Sequence, residues 1–414
     1  MQIGNALQTP WIRTVVVLIA AQVVSETAFS FAMPFTPLFI QELGVTDLAE
    51  VGLWVGLLSG CFAVAMGGMA PIWGNLADRF GHRRMIQRAL FGAGFVVVLV
   101  AFVQTPGQLL VLRVLHGALT GVVTAIATMA SITAPRQHVG TVLGFLQAGM
   151  YLGVSLGPLM GGAFADQFGL RASFAAAGSL LVLLGVLVTL LVPNPQKVSG
   201  RAGAAGTQEA GPERRLMSRD LLIVITLMGL TRFAQMGPTP FLPLFVQQLV
   251  QTQEGLATTV GLVLAAAGVA STVSALLIGR LDRAFGARAT LIGGLLIAAV
   301  LTALHAAVGS VWQLLVLRVA VGLAQGGSAP AIQALMIDVT PPGRRGAAFG
   351  VLTTANAAGN GGGPVFGSVM VAAAGLPALF LGMAPVLALA AWLSAQVKGG
   401  DKTTVPPAPA RSPG

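Results

Sequence analysis

One carboxylate interrupts the middle of an apolar stretch near the start of the chain. Glu26 lies four residues after Gln22 and four before Ser30, so the three side chains share one face of a helix. An ionised carboxylate in hydrocarbon costs at least about 2.5 kcal/mol, so such a group normally faces a cavity or a partner. The pattern is typical of a proton-binding site that lines a water-filled pathway. The alternative is a structural carboxylate that stays bonded to an arginine.

Three arginines interrupt other apolar stretches at related positions. Arg113 and Arg318 lie 205 residues apart, and Arg232 follows Glu26 by 206 residues. A guanidinium cannot neutralise itself, so each buried arginine needs an acceptor. Arg318 has no obvious acidic partner, and we expect it to bind backbone carbonyls. Arg232 either binds substrate, together with Gln235 on the same face, or forms a static ion pair.

The stretch that carries Arg113 adds a second polar face. Helical spacing places His116 beside Arg113, and we expect the same face to continue through Gly117, Thr120 and Thr124. An imidazole at this position could titrate and take part in proton coupling. The alternative is a hydrogen-bonded histidine that fills space.

These side chains must be positioned by elements that lie in a membrane. Charged residues make up 9% of the 414 residues, against about 25% in a soluble domain, and hydrophobic residues make up 55%. Such a chain has too little charge to cover a water-soluble fold of this size. A single cysteine, Cys61, excludes a disulfide-stabilised secreted scaffold. The composition therefore predicts an integral membrane protein, and its long apolar runs predict that it is all-α.

The apolar runs are long enough for twelve spans, because a membrane-spanning helix needs about 20 mostly apolar residues. The predicted spans are 12–41, 51–76, 85–104, 107–132, 139–165, 171–193, 219–246, 257–281, 288–309, 312–338, 346–373 and 377–397. The termini and the connections on their side hold 19 of the 23 lysines and arginines, whereas the opposite loops are acidic. This bias predicts that both termini are cytoplasmic. It also accounts for the net charge of +10 without a nucleic-acid partner.

The two halves of the chain repeat one another at an offset of 205–206 residues. The first half contains PFTPLFIQEL at 34–43 and QLLVLRVLHGALTG at 108–121, and the second contains PFLPLFVQQL at 240–249 and QLLVLRVAVGLAQG at 313–326. Six spans per repeat give both halves one orientation, related by an axis along the membrane normal. We predict an N-terminal six-helix bundle at 1–193, a cytoplasmic linker at 194–218, a C-terminal six-helix bundle at 219–398 and a disordered cytoplasmic tail at 399–414.

Four motifs support a family resemblance that covers nearly the whole chain. They are Gly74-Asn-Leu-Ala-Asp78-Arg79-Phe-Gly81-His-Arg83-Arg84 after the second span, Arg113-Val-Leu-His116-Gly117 in the fourth, the set Gly149, Gly153, Gly157, Pro158, Gly161 and Gly162 in the fifth, and Pro34-Phe-Thr-Pro37 in the first. Together they resemble the major facilitator superfamily, and within it the twelve-span drug/proton antiporters. The chain departs from the family pattern at His82, where arginine is usual, and at His116, where glutamine is usual.

The resemblance implies a role for each motif. The loop residues Gly74, Asp78, Arg79, Gly81, Arg83 and Arg84 would latch the two halves on the cytoplasmic side while the cavity faces outward, with Asp338 accepting from Arg79 or Arg83. The alternative is that the basic residues only set the topology. In the family the fourth-span arginine lies close to the first span, which makes Glu26 a candidate partner of Arg113. The fifth-span glycines are associated with antiport, although their spacing also suits ordinary close packing of helices.

The energy source follows from what the chain lacks. None of the three lysines follows a glycine, so no Walker phosphate loop and no built-in ATPase are present. We predict a proton-coupled exporter of lipophilic small molecules in the inner membrane, monomeric, with no catalytic residue, metal or cofactor. Glu26, Arg113 and His116 would couple protons, and Gln22, Ser30, Arg232 and Gln235 would line the substrate cavity. The alternatives are an uptake permease, an exporter of a sugar, lipid or other metabolite, and, more remotely, a membrane sensor or enzyme on the same fold.

Overall fold

The computed structural model of the protein describes residues 10–192, 218–250, 252, 254–341 and 344–397. The predicted tail and all of the predicted linker except Ser218 lie outside these residues. The described part consists of helices and short connections. Its α-helices are Pro10–Ala32, Thr36–Glu42, Leu48–Phe80, His82–Val100, Pro106–Leu119, Val122–Thr133, Val139–Phe168, Leu170–Leu191, Arg219–Met236, Leu242–Leu249, Leu256–Phe285, Ala287–Leu304, Val311–Gln325, Ser328–Val339 and Arg345–Gln396.

These helices group into spans that match the prediction closely. Ten of them, some built from two consecutive helices, are long and apolar enough to cross a membrane within the described part. The last of the ten contains two crossings, because the backbone leaves the helical conformation at Ala374 and Gly375, where the Gly375 φ is +79°. The helix His82–Val100 carries Arg83, Arg84 and Arg88 in its first two turns and is therefore less apolar than the others. Counting it as the third span makes the arrangement consistent with twelve.

Four spans are broken in the middle, which the sequence analysis did not predict. The first and seventh spans change to a 3-10 turn at Met33–Phe35 and at Thr239–Phe241, beside the prolines of the repeated motif. The fourth and tenth spans break after Leu119 and after Gln325. The break positions repeat at the same offset as the sequence, so the two halves share this irregularity.

The two ends of the bundle differ in how the halves meet. We call the end with the connections at 81, 134–138 and 286 the basic side, and the end with those at 43–47, 101–105, 169 and 305–310 the acidic side. On the acidic side the fifth span contacts the eighth, where a side-chain Cβ at Gly162 would overlap the Ala257 backbone. The second span meets the eleventh in the same way, at Gly56 and Ser368.

The acidic side also holds the most tightly packed aromatic side chains. Phe35, Phe39, Phe174, Phe241 and Phe380 are 0–1% exposed, and they belong to one apolar core shared by both halves. Toward the basic side, by contrast, the contacts that glycines make between the halves end halfway along the helices, at Gly268 with Ser155 and at Gly361 with Ala63. The halves therefore meet on the acidic side, and we infer that the space between them opens toward the basic side.

Candidate functional site

Glu26 lies where the first span packs closely against Gly153 of the fifth span. Gln22, only 2% exposed, donates from its Nε2 to Glu26 Oε1 at 3.3 Å, so these two side chains share the predicted face. A Cβ at Gly153 would lie 2.6 Å from the Glu26 Cβ, and one at Gly157 would lie 2.6 Å from the Ser30 Cβ. The fifth-span glycines thus make room for the two polar residues of the first span.

Arg113 does not pair with Glu26, so this expectation is wrong for the conformation seen. Its Nη1 contacts the Met33 sulfur at 2.7 Å, its guanidinium lies 4.7 Å from the centre of the Phe62 ring, and its Nε has no hydrogen-bond partner among the residues that the structure describes. Met33 is seven residues beyond Glu26, about 10 Å along a helix. Arg113 is therefore level with the 3-10 turn of the first span and too far from the carboxylate.

His116 is enclosed by aromatic rings. It is 1% exposed, its ring centre lies 5.2 Å from that of Phe29 and 5.4 Å from that of Phe62, and neither ring nitrogen has a hydrogen-bond partner in the described part of the chain. The interpretation of His116 as a hydrogen-bonded filler is therefore wrong. Gly117 presses against the Phe62 backbone of the second span on the same side.

The predicted polar face beyond Gly117 is interrupted. The helix ends at Leu119, and the next begins at Val122 after Gly121, whose φ is +120°. Thr124 is therefore not continuous with the face of Arg113, because a residue with that φ cannot continue an α-helix.

Two side chains that the sequence analysis did not assign to the site hold this break together. Trp73 Nε1 donates to the Ala118 carbonyl at 2.7 Å, and Arg88 donates to the carbonyls of Leu119 at 2.9 Å and Thr120 at 3.4 Å. The Arg88 guanidinium also stacks on the Trp73 ring, 3.7 Å from its centre. The carbonyls that a broken helix leaves unpaired thus find side-chain donors. Gly121 was the signal in the sequence that could have indicated the break.

Arg232 occupies the place in the C-terminal half that Glu26 occupies in the N-terminal half. A Cβ at Gly359 would lie 2.9 Å from the Arg232 Cβ, and Gly359 follows Gly153 by the repeat offset of 206. Arg232 does not form the ion pair with Glu26 that was one of its two predicted interpretations. Among the described residues, Glu26 and Arg232 each bond to a glutamine of their own span and not to each other.

The groups around Arg232 are polar and neutral. Its Nη1 donates to Gln235 Oε1 at a long 3.4 Å, and Gln235 Nε2 in turn donates to the Ser328 hydroxyl at 3.3 Å. The Arg232 Nε is buried and has no hydrogen-bond partner within the described ranges. Arg232 is therefore a buried cation with spare donor capacity.

Arg318 is also without an acceptor, so the expectation that it binds backbone carbonyls is wrong. Its Nε and Nη2 are buried without partners among the described residues, and its guanidinium lies 5.8 Å from the centre of the Phe380 ring. His305 stacks on the Phe380 ring, with the two ring centres 4.9 Å apart, and its Nδ1 lies 2.8 Å from the Leu301 carbonyl.

The loop motif lies on the basic side, and the predicted latch between the two halves of the protein is not formed. Asp78, Arg79 and Asp338 are exposed and make no hydrogen bond or ion pair within the described part of the chain. Arg83 donates to the Thr189 carbonyl of the sixth span instead of to Asp338. Gly81 has a φ of +91°, which suits the tight turn between the second and third spans. Arg84 is exposed, and Gly74 borders open space.

The glycine motif of the fifth span serves two different neighbours. Gly149, Gly153, Gly157 and Gly161 recur every fourth residue and contact the first span, at Val23, Glu26, Ser30 and Phe31 respectively. Pro158 and Gly162 face the other way and contact Gly261 and Ala257 of the eighth span. The motif therefore packs against the first span, which carries Glu26, on one face and against the eighth span on the other. We call this contact between the fifth and eighth spans the seam between the halves.

The chain is similar to known proteins both in sequence and in fold. The chain is 32% identical over 371 residues to the multidrug resistance protein MdtG of Escherichia fergusonii, covering 90% of this chain and 91% of that protein. It is 33% identical over 372 residues to MdtG of Citrobacter koseri, covering 89% and 91% respectively.

Among solved structures, a bacterial homologue of the human lysosomal transporter Spinster, in an inward-facing and occupied conformation, superposes with a TM-score of 0.77 at 16% identity. It covers 94% of this chain and 97% of that chain. The nucleoside transporter NupG superposes with a TM-score of 0.71 at 14% identity, covering 92% and 100%. The sequence model of the Major Facilitator Superfamily matches residues 18–257 and 249–413, nearly the whole length. This membrane protein therefore belongs to the Major Facilitator Superfamily.

Proposed function

We propose that the protein is a proton-coupled exporter of lipophilic small molecules that exchanges its substrate for protons by alternating access. One observation carries the proposal: Glu26, the sole acidic residue in the middle of a predicted span, accepts a hydrogen bond from Gln22 and pairs with no arginine among the described residues. A carboxylate held in a permanent ion pair with an arginine could not take up and release a proton. The name of the MdtG relatives supports drug-like substrates.

In the proposed cycle, Glu26 binds a proton and releases it when substrate binds. Gln22 keeps the carboxyl oriented through its amide, and Gly153 leaves the space in which the group sits. Substrate lies against Phe29, Met33 and Phe62, which offer an adaptable apolar surface with few directed hydrogen bonds. Arg113 and His116, held in the same aromatic cluster, tune the charge of this wall.

The substrate we expect is an amphipathic drug or dye, neutral or cationic, with proton release from Glu26 on binding of a cation. An anionic amphiphile is the natural competitor, because Arg232 and Gln235 present unused donor capacity on the opposite wall. A panel of ethidium, Nile red and a dansylated fatty acid decides between these charge types. Recognition of hydrophilic sugars alone would instead support the metabolite-exporter alternative.

The loop motif provides the proposed latch of the outward-facing state. When the basic side closes, the exposed carboxylate of Asp338 comes within reach of Arg79 or Arg83 across the seam, and Asp78 can cap the N-terminus of a neighbouring helix. In the present conformation that side is open, and Arg83 rests on the sixth span.

We further propose that the basic side is cytoplasmic, that the linker 194–218 joins the halves there, and that the protein lies in the bacterial inner membrane. Cysteines introduced at positions 205 and 405 should react with an impermeant reagent only from the cytoplasm, and one at position 48 only from outside. Labelling of position 205 from outside would overturn the twelve-span topology.

Dye efflux from energised cells, with and without a protonophore, tests the transport proposal. The expected result is efflux that the protonophore abolishes. Efflux that persists at the same rate would exclude proton coupling, and counterflow in proteoliposomes would separate a transporter from a membrane sensor.

A further inference from the structure

A carboxylate from one half of the protein caps a helix of the other half. Asp166 lies at the acidic-side end of the fifth span. Its Oδ1 accepts from the backbone N–H of Ala257 at 3.1 Å, and its Oδ2 accepts from that of Thr258 at 2.7 Å. Both N–H groups belong to the first turn of the eighth span, where a helix has donors without partners inside the helix.

The eighth span cannot supply this cap itself. Its N-cap residue is Gly255, which has a φ of +71° and no side chain. The second span, which is the corresponding helix of the first half, is capped by its own Asp47, whose Oδ1 accepts from the Glu50 N–H at 2.8 Å. Ser218, Thr105 and Ser310 likewise cap the helices that they precede. Asp166 thus caps a helix of the other half of the protein, whereas the other four helices are capped by the residue that directly precedes them.

The contacts around Asp166 show that its bonds depend on a closed acidic side. One turn below it, Gly162 meets the Ala257 backbone and Gly261 meets the Pro158 backbone, with no side chain between them. Near the axis between the halves, the amides of Gln41 and Gln247 each donate to the other at 3.1 Å. The fifth and eighth spans must separate here for the cavity to open on this side, and both bonds to Asp166 then break.

We propose that Asp166 is the gate residue of the acidic side, favouring the conformation that is open to the basic side. The inference rests on the proposed alternating access. Asp166 is exposed, so water competes for its oxygens and the effect is modest. Loss of a helix N-cap of this kind changes an equilibrium by about three- to ten-fold. Asp166 does not line the cavity, so it sets the balance of conformations and leaves substrate contacts unchanged.

The test is a distance measurement between spin labels at Gln104 and Ala307, exposed connections of opposite halves on the acidic side, in a Cys61→Ser background. Asp166→Ala should increase the population with the longer distance about three- to ten-fold over the parent protein. Asp166→Asn keeps one acceptor oxygen and should give an intermediate increase. Asp47→Ala is the matched control: it removes a cap of the same chemistry that does not cross the seam, and should lower thermal stability while leaving the distances unchanged.

The proposal is overturned if Asp166→Ala and Asp166→Asn both leave the distance distribution of the parent, or if Asp47→Ala shifts it equally. If Asp166→Ala fails to fold, Asp166→Asn alone carries the same two outcomes. The measurement needs neither substrate nor proton gradient. A failure of the gate is therefore distinguishable from a failure of the transport proposal, which dye efflux tests.

Discussion

Glu26 and Arg232 occupy equivalent places in the two walls of one cavity and carry opposite charges. Each lies where its span crosses a glycine of another span, Gly153 for Glu26 and Gly359 for Arg232, and both pairs are related by the offset of 206. The backbone crossing is therefore duplicated, but the chemistry on it is not. The N-terminal wall has a group that can exchange a proton, and the C-terminal wall has a permanent cation.

The breaks in the fourth and tenth spans show the same contrast. In the N-terminal half, Arg88 and Trp73 fill the break and bind its carbonyls. At the corresponding place in the C-terminal half, a glycine stands in the position of Arg88, and a cavity of about 370 Å³ lies beside Ser274, Gly294 and Gly327. There the Ser274 hydroxyl accepts from the Gly327 N–H at 3.2 Å. One geometry is thus supported by two different sets of side chains.

The largest effect should come from removing Glu26, the proposed proton-exchanging group of this pair. Glu26→Gln keeps the size and hydrogen bonding of the side chain but cannot titrate, so dye accumulation against a gradient should fall to background in proteoliposomes. One charge crossing 100 mV is worth about 2.3 kcal/mol, or roughly a fifty-fold concentration ratio, so the loss is easily measured. Arg232→Gln, the matched change in the opposite wall, should keep gradient-driven transport and alter the dye concentration for half-saturation. Equal loss of coupling in both variants would abolish the distinction between the walls.

The next largest effects should come from replacing the glycines at the two helix crossings. These variants distinguish a role in helix packing from a role in proton coupling. Gly153→Ala and Gly359→Ala each force a methyl group against backbone atoms of a neighbouring span. Overpacking of this kind costs about 1–3 kcal/mol, and the thermal unfolding midpoints of both variants should fall by similar amounts. If Gly153→Ala keeps full stability but loses proton coupling, the fifth-span motif has an antiport role beyond helix packing.

The support of the fourth-span break predicts an effect of similar or smaller size. Arg88→Ala removes the donors to two backbone carbonyls and a stacked cation, and should lower the stability of the protein by about 1–3 kcal/mol. Arg84→Ala is the control, since Arg84 is exposed on the same helix. Thermal unfolding of the two variants in detergent measures the difference. Equal midpoints would mean that the break does not depend on Arg88.

The smallest effect concerns the loop motif of the first half. Asp78→Asn should slow transport several-fold without weakening dye binding, because the proposed latch acts on the conformational equilibrium and not on the cavity. Turnover in proteoliposomes and binding in detergent are measured separately. Unchanged turnover would leave the loop residues as topology signals only, and parallel loss of both quantities would indicate misfolding.

Much of the fold could be predicted from the sequence, because it depends on local composition. Apolar length indicated the spans, and the repeat of Pro, Arg and Gly at one offset indicated two related halves. The shared face of Gln22 and Glu26 followed from helical spacing, and the structure joins these side chains by a hydrogen bond.

The remaining features depend on neighbours that are distant in the chain. Arg88 reaches carbonyls 31 and 32 residues away, and Asp166 reaches N–H groups 91 and 92 residues away. No spacing rule relates such residues. The Arg113–Glu26 pairing was wrong because the 3-10 turn brings the Met33 sulfur to the guanidinium, about two helical turns from Glu26.

Substrate-induced proton release from the purified protein tests the central claim most directly. A dye that the panel identifies as substrate is added to unbuffered protein in detergent, and the change in pH is recorded for the parent, Glu26→Gln and Arg232→Gln. We predict release from the parent and from Arg232→Gln at saturating dye, and none from Glu26→Gln. Undiminished release from Glu26→Gln would contradict the account, because the exchanged proton would then come from another group.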